Sequence, residues 1–72
     1  MNTKEEAKQW IEAGRPCLYR YGFRFKGAVA HPITKEKALE LLPHYHFGIG
    51  FYELRLENEG LVFNEYSEAD ML

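Results

Sequence analysis

Seventy-two residues make one domain, and a chain this short buries only about 60 to 65 per cent of the surface it exposes when unfolded. A hydrophobic fraction of 46% with 15% aromatic residues excludes a disordered tail, and the longest uncharged stretches, 27–34 and 41–52, are too short to span a bilayer as a helix. The net charge of −2 hides a split, since residues 1–38 hold eight basic and four acidic side chains (+4) and residues 39–72 hold one basic and seven acidic (−6). The single cysteine, Cys17, closes no bridge within the chain, and with no leader segment a reducing cytoplasm is the expected compartment.

Residues 3–13, TKEEAKQWIEA, predict a helix with both ends marked. Thr3 and Glu6 have capping-box spacing, Gly14 suits a left-handed stop and Pro16 prevents continuation. Ala7, Trp10 and Ile11 form one buried stripe. Residues 17–25, CLYRYGFRF, change to period two and predict a strand with Cys17, Tyr19, Tyr21, Phe23 and Phe25 on one face and Leu18, Arg20, Gly22 and Arg24 on the other. A bend is expected at Lys26 and Gly27, then a brief extended piece before Pro32.

Ile33 and Thr34 open a second expected helix, capped by Thr34 and ended by Pro43, whose apolar stripe is Ala38, Leu41 and Leu42 with Leu39 beside it. A long strand is expected from about Phe47 to Leu56, then a turn at ENEG and a returning strand over 61–66. The acidic end, residues 67–72, is expected to fray. The expected order is α-β-α-β-β, an α+β two-layer sandwich of three or four strands with both helices on one face.

Within 47–56 the apolar side changes phase, from the odd positions Phe47, Ile49 and Phe51 to the even positions Tyr52, Leu54 and Leu56. Strand geometry allows this only with a bulge, or with both faces of the strand covered. Gly48 and Gly50 leave a bare strip that a ring from a neighbouring strand or a second chain would fill.

Chemistry-bearing patterns are weak. GIG at 48–50 has neither a third glycine at fingerprint spacing nor a P-loop lysine. His31, His44 and His46 could furnish metal ligands, but without the paired-cysteine knuckle of structural zinc sites no metal or other cofactor is expected. Glu53 and Glu65 could face each other across the hairpin, and Cys17 could meet a histidine, but no surrounding motif supports catalysis, so no enzyme and no small-molecule substrate are expected.

The leading expectation is a small non-catalytic protein-interaction module that self-associates or docks on a larger protein through its sheet, with Tyr52, Leu54, Leu56, Val62 and Tyr66 as contact residues. That set shares one face if the hairpin opposes Leu56 to Val62; another register brings Leu61 and Phe63 beside Leu54 and Leu56 instead. The alternative is nucleic-acid binding by YRYGFRFKG, with Arg20, Arg24 and Lys26 on phosphates and rings for base stacking. Alternation works against it, because it puts the rings and the arginines on opposite faces.

Overall fold

The computed structural model describes residues 1–22, 28–48 and 50–67. Helix α1 is Lys4–Glu12, β1 is Cys17–Tyr21 and β2 is His31–Pro32. Helix α2, Lys35–Leu41, runs into a 3-10 turn over Leu42–His44, and β3 (His46–Phe47), β4 (Tyr52–Glu57) and β5 (Gly60–Glu65) complete the described elements. The strands form one mixed sheet in the order β2-β1-β5-β4-β3. The class is α+β as expected, but with five strands and the order α-β-β-α-β-β-β.

The helix ends follow from local chemistry. The Thr3 hydroxyl accepts from the Glu6 backbone N–H at 3.2 Å and donates to the Glu6 carboxylate at 2.9 Å, while that carboxylate also accepts from the Asn2 N–H. These bonds hold the Glu6 carboxyl below its ordinary range, the Asn2 N–H contributing most. Gly14 adopts φ +75, the left-handed stop that ends α1. In α2 the Thr34 hydroxyl accepts from the Lys37 N–H at 3.1 Å, and Pro43 falls in the 3-10 turn, where its missing N–H interrupts no helical ladder.

Both helices lie on one face of the sheet. Ala7 and Ile11 of α1, Ala38 of α2, Leu42 and Tyr45 pack with Cys17, Leu54, Leu61 and Phe63 in a single core, with Trp10, Ile33, Leu39 and Leu41 against its rim. The Trp10 indole donates to the Pro16 carbonyl at 2.8 Å, and the Leu61 N–H donates to the same oxygen at 3.0 Å. Gly60 sits where a Cβ would run into Pro16, at φ +144, so the hairpin can enter β5 beside this junction only with glycine there.

The sheet order places β5 between β1 and β4, parallel to β1 and antiparallel to β4. One expectation is corrected. The single strand from Phe47 to Leu56 is broken: the chain leaves β3 at Gly48, φ +118, and re-enters the sheet at Tyr52, so that β3 and β4 lie side by side in parallel. This break accounts for the phase change, since Phe47 lies on β3, Phe51 lies in the connection and Tyr52, Leu54 and Leu56 lie on β4. Among the described residues nothing lies within 4 Å of a Cβ built at Gly48 or Gly50, and Gly48 serves the backbone turn. Ile49, Phe23 and Phe25 lie outside the described residues.

Candidate interaction surface

The hairpin sets which residues share a face. Asn58 and Glu59 form its turn, and the register opposes Glu57 to Gly60, Leu56 to Leu61, Leu54 to Phe63 and Tyr52 to Glu65. Three cross-strand rows therefore face the helices: Cys17, Leu61 and Leu56; then Tyr19, Phe63, Leu54 and Phe47; then Tyr21, Glu65 and Tyr52. The middle row lies in or against the core, whereas the outer rows run out to Leu56, 44% exposed, and to Tyr52 and Tyr21, 47% and 55% exposed.

The expected five-residue contact face is thus divided. Tyr52, Leu54 and Leu56 point to the helix side, and Val62 lies opposite Arg55 on the other side, with Tyr66 beyond the end of β5. Leu54, Val62 and Tyr66 are buried, so Tyr52 and Leu56 are the members that reach solvent, joined by the exposed Phe51. The two-residue turn is the cause, because it selects the register that places Leu61 and Phe63 beside Leu54 and Leu56.

The same register separates Glu53, opposite Asn64, from Glu65, opposite Tyr52, and adjacent positions in a strand point to opposite faces. They form no carboxylate pair. His31 lies on β2 and His46 on β3, the two edges of the sheet. Four strand spacings of roughly 4.8 Å put them about 19 Å apart, too far to share an ion. Among the described residues no group of three or more potential ligands could hold a metal. Cys17 is buried, with its thiol pointed at the Arg15 carbonyl at 3.5 Å, and burial raises its pKa, the reverse of what a nucleophile needs.

On the face away from the helices, Arg20 forms a fork with Glu57: Nη2 donates to Oε2 at 2.5 Å and Nη1 to Oε1 at 3.2 Å. Its Nε donates to Asn64 Oδ1 at 2.6 Å. Arg20 stands beside Asn64 and Glu57 opposite Gly60, so the arginine stem runs diagonally past Val62 between them and helps to shield it. The Tyr66 hydroxyl donates to Glu53 at 2.8 Å on the neighbouring strand. Arg20 is thereby committed within the fold, and it joins the basic half of the sequence to the acidic half. Arg24 and Lys26, the other two cations of the nucleic-acid reading, lie outside the described residues, as does most of the acidic end, 68–72.

Sequence reasoning missed two features. Asn64 is fully buried in β5 with its side-chain Nδ2 without a hydrogen-bond partner, and the only trace in the sequence is the amide that ends the apolar run LVF. The second is a cleft of about 310 Å³ lined by Tyr19, Ile33, Lys37, Leu41, Tyr45 and Glu65. The Tyr19 hydroxyl donates to Glu65 Oε1 at 2.9 Å, and the Tyr45 ring meets those of Tyr52 and Phe63 edge-on, each with centroids 5.3 Å apart. Burial first, and the Glu65 carboxylate second, push the Tyr19 hydroxyl well above its usual range and that of Tyr45 up to about 12. No spacing rule links positions 19, 45 and 65, so only the tertiary fold reveals this group.

Compared with protein-family models, curated proteins and solved structures, the chain gives no match in any of the three. Fold and surface define it as a small α+β domain in which no helix among the described residues is long and apolar enough to cross a membrane.

Proposed function

We propose that this protein is a small non-catalytic interaction module of the cytoplasm that self-associates through the β4 side of its sheet. The observation that carries the reading is the coincidence, on one strand, of exposed apolar side chains with an open edge. Tyr52 and Leu56 project from β4 with Phe51 just before it, and β3 pairs with Glu53 and Leu54, so that on the side away from β5 Arg55–Glu57 have no paired strand among the described residues. An unpaired edge is a template for another strand. Two copies related by a twofold axis at Leu56 would oppose Leu56 to Leu56, an apolar pairing, and set each Arg55 opposite the other copy's Glu57, whose carboxylate is already held by Arg20.

A catalytic reading draws no support from a buried, proton-retaining Cys17, from carboxylates on opposite faces or from histidines at opposite edges. Nucleic-acid binding loses its first cation to Glu57 and Asn64. The test is native mass spectrometry of untagged protein at low salt, at about 100 μM to favour weak association. A dimer is expected for the wild type and a folded monomer for Leu56→Asp. A wild-type monomer would overturn self-association and redirect the same surface to a larger protein partner.

A further inference from the structure

We propose that the cleft between α2 and the end of the sheet is a binding site for an alkylammonium group, held against the Glu65 carboxylate beside Tyr19. This site lies apart from the β4 edge and does not depend on self-association. Its walls are apolar and aromatic, with Ile33 and Leu41 on the helix side and Tyr19 and Tyr45 on the sheet side, and about 310 Å³ suits a short aliphatic chain or a trimethylated head.

The charge inside the cleft decides the ligand class. Glu65 brings one carboxylate into a partly dehydrated, aromatic-walled space, and the Tyr19 hydroxyl already spends its proton on it. An anion would meet that charge with no free donor from Tyr19, and a neutral apolar ligand would strip water from the carboxylate without replacing it. An alkylammonium does the opposite: its positive charge approaches the carboxylate while its carbon shell packs against Ile33, Leu41 and the accessible part of Tyr19. Lys37 is the cation at the rim, and its Nζ lies 3.3 Å from Glu40 Oε1 on the exposed side of α2, so it leaves the floor of the cleft to a ligand.

The experiment is an aromatic-resonance NMR titration of the full chain with choline and with its uncharged isostere 3,3-dimethylbutan-1-ol, which differ by one nitrogen-for-carbon exchange. Choline is expected to shift the Tyr19 and Tyr45 ring signals saturably in the millimolar range, and the isostere about tenfold more weakly. A blocked lysine derivative forms a further arm: tighter binding than choline points to a side chain borne by a partner, weaker binding to a free amine. Glu65→Gln is expected to weaken choline about tenfold, and Lys37→Gln, which alters only an exposed side chain, to tighten it about threefold by removing a like charge. Equal binding of choline and isostere, or no saturation by about 50 mM in both wild type and Lys37→Gln, would overturn the proposal.

Discussion

The two faces of β5 are closed by different means. Leu61 and Phe63 are buried under two helices whose caps and stops are written in adjacent residues, whereas Val62 and Asn64, equally inaccessible, lie on the helix-free face beside the Arg20–Glu57 pair. The first face is a packed apolar core and the second is a half-polar one whose shielding draws on long flexible stems. Among the described residues no helix lies on the second face, where the Arg20 stem passes an aliphatic residue and its head finds a carboxylate and an amide.

Truncation should separate the faces. Phe63→Ala empties the centre of the helix-side core and is expected to lose about 3 to 5 kcal/mol, enough to unfold a domain of this size, as read by urea denaturation. Val62→Ala on the other face should lose roughly 1 to 2 kcal/mol, since the Arg20 stem can settle into the space. Equal losses would mean that the two faces are packed alike. Gly60→Ala acts at the junction between strand β5 and Pro16, where a Cβ has no room and φ is positive, and a loss of about 3 kcal/mol is expected in the same assay.

Breaking the arginine fork should have a smaller effect. With side chains 19% and 24% exposed, the Arg20–Glu57 pair is partly screened by water, and Arg20→Met, which keeps an aliphatic stem over Val62, is expected to destabilise by about 1 kcal/mol. Arg20→Ala should lose more than Arg20→Met, because it removes the shielding as well as the charge. The reverse order would show that Arg20 acts by charge alone.

The tyrosine cleft supplies a pH signature on the helix side. Tyr19 and Tyr45 both have folded pKa values raised above the ordinary phenol, so the folded protein holds these protons longer than the unfolded chain does. Their contribution to stability is complete below the unfolded value near pH 10 and is lost as pH rises toward and through the folded values, about 12 for Tyr45. Denaturation midpoints should therefore fall from about pH 10 upward. In Tyr19→Phe that fall should be shallower, with little change near neutrality.

Most of the local architecture could be read from the chain, because its causes are local. Thr3 with Glu6, Thr34, Gly14 and Pro43 mark helix ends through bonds or dihedrals spanning a few residues, and the stripes Ala7–Ile11 and Ala38–Leu42 follow from helical spacing. The β4–β5 register could be read only as one of two, since it turns on how many residues the turn takes. What stayed hidden depends on distant pairings: the insertion of β5 between β1 and β4, the break at Gly48 read as a bare strip in one strand, and the meeting of Tyr19, Tyr45 and Glu65. A period-two pattern reports that a residue points to a face, and not which strand lies beside it.

The central claim, that β4 offers a docking edge while the helix-free face serves the fold, is tested most directly by amide chemical shifts of the isotope-labelled protein across a dilution series from about 1 mM to 10 μM. The account predicts concentration-dependent shifts at Phe51, Tyr52 and Arg55–Glu57, with Val62 and Asn64 unchanged. Shifts centred on Val62 and Asn64, or no shift anywhere across the series, would contradict it.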